Sequence, residues 1–239
     1  MTIGEPEIGA FIAVFLRVSG LAMTAPVLGD GGISIRARLV FCVAVTSVVT
    51  INHGPVMYDE LPGRGIAELA TGLIAGLTAR FVVARIAIAG QLMGTALGLG
   101  FAAQYDPHAG ESAGIMRTLA STLGGIAFVC ADGLEAIVRS VATPTGPLQL
   151  GLLGPDLIHT GTAAFAQGLA IASPIVLAAL VANIGFAVMN RATPAVNVFS
   201  IALAGVLVLG GALLLGSASS FVASAADAAR DAARLLGAP

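Results

Sequence analysis

The apolar runs of this chain are too long and too poor in charge for a water-soluble fold. Between Asp156 and Asp227, Arg191 is the only charged residue. Across the chain 57% of the residues are apolar and 10% are charged, whereas soluble domains carry about 25% charged residues. The polar residues that would cover a soluble core are missing, so the sequence predicts a membrane protein.

The lengths of these runs predict the fold class. A helix needs roughly 20 apolar residues to cross a bilayer. The longer runs cover residues 8–28, 66–103, 115–139, 157–189 and 198–226, and a shorter one covers residues 39–51. They predict an all-α membrane protein of about six long, kinked helices arranged as hairpins, with Pro174 as one expected kink.

No internal repeat or composition shift divides the chain, which predicts a single domain over residues 1–239. Its last part, residues 226–239, is expected to be a short polar tail whose acid–arginine pairs suit a solvated helix end. Residues 1–8 hold Glu5 and Glu7 and no basic residue. Because a secretory signal peptide needs a basic start, the first apolar run is expected to be retained.

Three arginines lie inside the apolar runs, namely Arg17, Arg80 and Arg85. One such charge costs about 2.5–3.5 kcal/mol at the centre of a membrane helix. We therefore expect these side chains to face protein or water rather than lipid. For residues 66–103 the sequence leaves two alternatives: the chain folds back near Arg80 and Arg85, or its helices are buried in other protein.

Glycines recur every four residues on the same stretch, and are expected to form a smooth helix face that lets a neighbouring backbone approach closely. They are Gly72 and Gly76, followed by Gly90, Gly94 and Gly98. Phe101 and Tyr105 come next, four residues apart and just before a loop broken by Pro107. Aromatic residues at the end of a membrane helix often lie at the membrane interface, which is one interpretation of this pair. The other is a gate, because a gate needs a bulky constriction beside flexible backbone.

The composition disfavours other function classes. All eleven basic residues are arginines and the formal net charge is −2, so no basic patch for nucleic acid exists. Without lysine there is no phosphate-binding loop of the usual type. The three histidines lie in separate loops without metal-ligand spacing, and the two cysteines lie in separate apolar runs. We predict no enzyme, no cofactor and no metal site, and a secondary transporter remains an alternative for the arginines.

Several blocks, in order along nearly the whole chain, resemble the FliR family of type III export-gate subunits. They are Arg17-x-Ser19-Gly20 with Ala25-Pro26-Val27; Glu68 with Gly72 and Gly76; Ala89-Gly90-x-x-x-Gly94-x-x-x-Gly98 with Phe101-Ala102 and Asp106-Pro107; and Arg191-x-x-Pro194-x-x-Asn197-x-Phe199. The chain departs from the family pattern at four single positions and at one block of three. Family members often carry Pro at Ser34, an acidic residue at Gln91, and Gln at both Ala96 and Ala195. They also often carry Asn-Gly-His where Asp132-Gly133-Leu134 stands.

The resemblance implies a non-enzymatic subunit of the bacterial inner membrane. It would assemble into a helical pore with FliP-like and FliQ-like subunits, and with an FlhB-like subunit, and would pass unfolded flagellar proteins. Injectisome membership is the alternative. The resemblance implies a plug at Phe101, Tyr105, Asp106 and Pro107. It also implies buried-charge or subunit contacts at Arg17, Arg80, Arg85, Arg191, Pro194, Asn197 and Phe199.

Overall fold

A computed structural model of the chain describes residues 4–29, 33–98, 114–142, 150–192 and 198–236. Within these ranges the secondary structure is helical and contains no strand, which confirms the all-α prediction. The helices are α1 (Glu5–Thr24), α2 (Ile35–Val49) with a 3-10 turn (Thr50–Asn52), α3 (Leu61–Ala96), α4 (Ile115–Cys130), α5 (Gly133–Ala142), α6 (Leu150–Ala192) and α7 (Val198–Leu235).

Five of these helices are long and apolar enough to cross a membrane, and the bent pair α4–α5 would make a sixth span. This number agrees with the predicted six. The chain is therefore a multi-pass membrane protein.

Residues 115–142 do not form the continuous helix that was expected from the apolar run 115–139. Helix α4 ends at Cys130, and α5 leaves it at an angle of 62°. The backbone of Asp132 has φ 57°, a left-handed conformation that Asp tolerates better than most residues. Ala136 N–H then donates to the Asp132 carbonyl at 2.9 Å as α5 begins. The Asp-Gly pair at 132–133 is a turn signal that the apolar pattern had masked.

Helix α3 excludes one of the two alternatives left open by the sequence, because it runs without interruption through Arg80 and Arg85. The chain does not fold back there. With 36 residues, α3 is about 54 Å long at 1.5 Å per residue.

The last turns of α7 have one buried face and one exposed face. Helix α7 continues to Leu235. The buried face consists of Ala225, Ala228, Ala229, Ala232, Ala233 and Leu236, whereas Asp227, Arg230 and Arg234 are exposed. Because the small residues recur at helical spacing, this face of the helix is packed, and the charged residues lie on its solvated face.

The chain divides into two compact units, and each has its own core. Unit 1 comprises residues 1–83, 127–162 and 229–239, and unit 2 comprises residues 84–126 and 163–228. The core of unit 1 joins α1 to the end of α7 around residues such as Val18, Leu21, Phe128 and Ile137. The core of unit 2 is built on Ala89, Met93, Ala172 and Ile175 of α3 and α6.

Candidate functional site

Unit 1 neutralises the arginine of α1 inside the chain itself. Arg17 is 2% exposed and Glu68, on α3, is 8% exposed. Arg17 Nε donates to Glu68 Oε2 at 2.5 Å, and Arg17 Nη2 lies 2.5 Å from the same oxygen. A charge-assisted bond of this kind offsets the cost of taking both ions out of water, and it is strong where water is absent.

The third contact of Arg17 comes from α5. Arg17 Nη1 donates to the main-chain carbonyl of Val141 at 3.2 Å. The bend at Asp132 thus gives unit 1 a short helix that supplies an acceptor for the buried guanidinium. Arginine has five N–H donors, so a buried one needs several such acceptors.

Glycines of α1 and α3 set the distance between these helices. A Cβ added at Gly72 would overlap the Arg17 carbonyl, and one at Gly76 would overlap the Thr24 hydroxyl. From the other side, a Cβ at Gly20 would lie 2.7 Å from the Leu69 carbonyl oxygen. The backbones of α1 and α3 therefore pack in direct contact, which brings Arg17 within reach of Glu68.

His53 follows α2 and its 3-10 turn, outside the candidate spans. Burial lowers the pKa of its imidazole below the ordinary 6.5, and the nearby cations Arg17 and Arg64 lower the pKa further. The carboxylate of Glu68 acts in the opposite direction and is outweighed. The pKa shift therefore favours neutral His53 near neutral pH.

Arg80, the second arginine of the apolar runs, is half-buried on α3 in unit 1. A Cβ placed on Gly29 would lie 3.1 Å from its Nη1. The guanidinium thus extends toward the turn that follows α1.

Unit 2 places its buried arginine against an amide. Arg85 is 7% exposed, and its Nη1 donates to Gln167 Oε1 of α6. Gly168 makes room for this contact, since a Cβ there would lie 2.9 Å from the Arg85 carbonyl oxygen. Gln167 and Gly168 were not among the predicted site residues; the signal that could have found them is a Gln-Gly pair inside an otherwise apolar run.

The second glycine group packs α3 against α4. A Cβ at Gly90 would overlap Ala120, and one at Gly94 would lie 3.0 Å from the Met116 Cβ. Gly98 follows α3 with φ 71°, a conformation that glycine adopts without strain. All five predicted glycines thus lie at close helix approaches or at a helix end.

Most of the remaining predicted residues fall outside the part of the chain that is described. These are the plug residues Phe101, Tyr105, Asp106 and Pro107, together with Pro194 and Asn197. Arg191 is exposed in the last turn of α6, and Phe199 lies in the first turn of α7.

The internal partners revise the interpretation of the arginines. The family resemblance implies buried-charge or subunit contacts at Arg17 and Arg85, and Glu68 and Gln167 of the same chain contact them. The buried charges alone therefore do not require a partner protein. Among the described residues, no group of His, Cys, Asp and Glu is placed to hold a metal ion.

Comparison with known proteins extends over nearly the whole chain. The family described as bacterial export proteins, family 1, matches residues 8–232. The flagellar biosynthetic protein FliR of Caulobacter vibrioides is 28% identical over 219 residues, which cover 86% of this chain and 87% of that protein. FliR of Aquifex aeolicus is 29% identical over 200 residues, covering 79% and 77%. The surface presentation of antigens protein SpaR of Shigella sonnei is 22% identical over 198 residues, covering 80% and 77%.

Proposed function

Since the chain belongs to the bacterial export proteins of family 1, we propose that it is a subunit of a type III protein export gate in the bacterial inner membrane. The family match over residues 8–232 is the observation that carries this proposal. The similarity to FliR proteins favours a flagellar system, whose cargo is unfolded flagellar protein. The similarity to SpaR keeps the injectisome as the alternative system.

The length of the apolar helices supports an assembly with other membrane subunits. The apolar span of α6 is Leu157–Ala192, with 36 residues or about 54 Å at 1.5 Å per residue, whereas the hydrocarbon core of a bilayer is about 30 Å thick. Large apolar side chains are exposed along α6 from Ile158 to Met189. Acyl chains cannot cover all of that length, even with a tilt of about 40°.

The apolar surface of α6 that extends beyond the bilayer is therefore expected to contact other protein. We assign these contacts to FliP-like and FliQ-like subunits, with an FlhB-like subunit beside them. Contact surfaces at Arg191, Pro194, Asn197 and Phe199 belong to the same proposal. The role is non-enzymatic, because the subunit forms a wall of the channel and leaves the chemistry of energy supply to other components.

The plug belongs to the proposal as well. Phe101 and Tyr105 follow the glycine-rich half of α3 in the sequence, with Asp106 and Pro107 after them. Replacing both aromatic residues by glycine is expected to let ions leak through the membrane while protein export continues. The change removes the side chains that block the channel and leaves the helices that form the channel wall unaltered. An unchanged membrane conductance would contradict the plug.

The function is tested by secretion. Deleting the gene from its own host should abolish secretion of flagellar proteins into the medium, and supplying the full chain should restore it. If secretion of injectisome substrates is lost and restored instead, the alternative system is correct. If the deletion strain still secretes both kinds of substrate, the proposed function is contradicted.

A secondary transporter has less support. That alternative places Arg17, Arg80 and Arg85 along a solute path, where their charges must be available. Arg17 and Arg85 are instead buried against Glu68 and Gln167.

A further inference from the structure

Helix α2, with its 3-10 turn, has an exposed face that is basic at one end and apolar along the rest of its length. We call it the outer α2 face, and it consists of Arg36, Val40, Val43, Ser47 and Ile51. All five residues are exposed, and their spacing of three and four positions places them in one line along the helix. The opposite side of α2 packs inside unit 1 through Cys42, Thr46 and Val49.

The hydroxyls on this side of α2 are compatible with lipid. The Ser47 hydroxyl donates to the Val43 carbonyl at 2.8 Å, and the neighbouring Thr50 hydroxyl donates to the Thr46 carbonyl at 2.7 Å. Hydroxyls that donate within their own helix are tolerated in hydrocarbon, because their donors are paired. Over the described residues 39–51, the exposed side of α2 therefore leaves no side-chain donor that water or a polar protein would have to satisfy.

The length of α2 fits a bilayer without surplus. The candidate span Ile35–Asn52 has 18 residues, or about 27 Å at 1.5 Å per residue, and the hydrocarbon core is about 30 Å thick. Lipid alone can therefore cover this span. The apolar span of α6, at about 54 Å, is too long for that.

The two ends of the span carry residues that favour a membrane interface, and their charges differ. Arg36 lies in the first turn of α2, whereas Tyr58 is exposed beyond the other end, beside the exposed acids Asp59 and Glu60. Arginine extends from helix ends toward headgroups, and tyrosine is enriched at membrane interfaces. An anionic headgroup is therefore favoured only at the Arg36 end.

The guanidinium of Arg36 fits the phosphate of such a headgroup. Guanidinium groups bind phosphate through two parallel hydrogen bonds and are less strongly hydrated than ammonium groups. Val40 and Val43 follow Arg36 by one and two turns, so an acyl chain attached to that headgroup would lie against them.

We propose that the outer α2 face binds an anionic phospholipid, with the phosphate at Arg36 and an acyl chain along Val40 and Val43. This lipid site lies beyond the proposed function and does not depend on it. It also separates α2, which lipid covers, from α6, whose surplus length is assigned to contacts with protein.

Photoreactive phospholipids test the site. The full chain is purified from its host membrane together with the subunits bound to it, and is placed in phosphatidylcholine nanodiscs. The nanodiscs contain a small fraction of phosphatidylglycerol, or in parallel of phosphatidylcholine, with a diazirine in the acyl chain. Mass spectrometry of the labelled peptides is expected to locate adducts at Val40, Val43 or Ile51, with more adducts from phosphatidylglycerol than from phosphatidylcholine.

A pair of variants tests the headgroup contact. Arg36→Gln should lower the labelling of α2 by phosphatidylglycerol about fivefold, the factor expected for one arginine near an anionic membrane surface. Labelling by phosphatidylcholine should stay the same, because the apolar part of the face is kept. The matched control is Arg139→Gln, which removes another exposed arginine of unit 1, one that pairs with Glu135. This control should change neither labelling.

Three results would overturn the lipid site: no lipid adduct on α2, as expected if a protein subunit covers the face; equal labelling by the two lipids; or equal effects of Arg36→Gln and Arg139→Gln. Secretion is measured in the same host. Normal secretion without adducts on α2 refutes the lipid site and leaves the proposed function standing. Adducts on α2 in a host whose secretion does not need this chain refute the proposed function and leave the lipid site standing.

Discussion

The two units bury an arginine in different ways. In unit 1, Arg17 contacts the carboxylate of Glu68 and the Val141 carbonyl, and three helices meet at the charge. In unit 2, Arg85 contacts the neutral amide of Gln167 on α6, a side chain that is itself partly open to its surroundings. A hydrogen bond between two ions is stronger than one between an ion and a neutral amide, so the Arg17–Glu68 contact is expected to contribute more to stability than the Arg85–Gln167 contact.

The helices also differ in how much of their surface the chain itself buries. Half of the apolar span of α1 is buried within the chain, compared with 39% for α3, 17% for α2 and for α6, and 11% for α7. The Arg17–Glu68 contact thus joins the two best-covered spans, whereas α2, α6 and α7 present most of their apolar surface outward.

The largest expected effect comes from breaking the ion pair. Glu68→Gln removes the carboxylate that contacts the buried Arg17 and should lower the free energy of unfolding by about 3–5 kcal/mol. Thermal unfolding of the purified subunit complex in detergent measures the loss. The matched control is Glu135→Gln, because Glu135 pairs with Arg139 at 2.6 Å on an exposed helix face. That change should cost no more than about 0.5 kcal/mol, and an equal loss in both variants would contradict the role of burial.

Widening the helix contact of unit 1 should have the next largest effect. Gly72→Ala places a methyl group against the Arg17 carbonyl and should destabilise by about 1–3 kcal/mol. The control Gly216→Ala lies in α7 where no atom is within 4 Å, so the higher helix propensity of alanine should stabilise by up to about 1 kcal/mol. Opposite shifts of the melting temperature are expected. Shifts of the same sign and size would contradict the close packing.

Removing the amide in unit 2 should have a smaller effect. Gln167→Leu keeps the approximate volume and removes the acceptor of Arg85, at an expected cost of about 1 kcal/mol. Ser173→Ala on the same helix is the control, since that hydroxyl only donates to Ala170 of its own helix at 2.8 Å. A loss as large as that of Glu68→Gln would remove the distinction between the two units.

The smallest expected effect is the pH dependence from His53. The folded protein lowers the pKa of His53 below 6.5, so the unfolded chain binds the proton more readily. The contribution of His53 to the free energy of unfolding is therefore complete above pH 6.5 and decreases as the pH falls toward the lowered pKa. His53→Gln should show a shallower loss between pH 7.5 and 5.5 in thermal unfolding, with the pH values chosen to bracket the ordinary histidine pKa. A steeper loss in the variant would show that the sign is wrong.

Sequence reasoning reached the features that depend on composition and spacing. The lack of charge predicted a multi-pass helical protein, and the run lengths predicted the number of spans. It did not predict the bend at Asp132, because the apolar pattern continues across it and only an Asp-Gly pair marks it. It also did not predict the partners of the arginines. Arg17 and Glu68 are 51 positions apart, and only the packing of α1 on α3 brings them together.

The buried face of the tail was not predicted, for a similar reason. Its Asp and Arg residues indicated a solvated helix end, and the alanines between them form the buried face. Alanine is nearly neutral in hydropathy patterns. A helix face lined by alanine can therefore be recognised as buried only from the structure, where its packing is seen. The plug residues lie outside the described ranges and stay a prediction.

The claim that this chain needs partner subunits to cover its apolar helices is tested most directly by its lifetime in the membrane. Pulse–chase labelling would follow the full chain expressed alone and together with the FliP-like and FliQ-like subunits of its host. Rapid degradation of the chain alone, and a long lifetime with co-purification in the presence of the partners, is the expected result. An equally long-lived chain that is extracted alone as a single well-behaved monomer would contradict the claim.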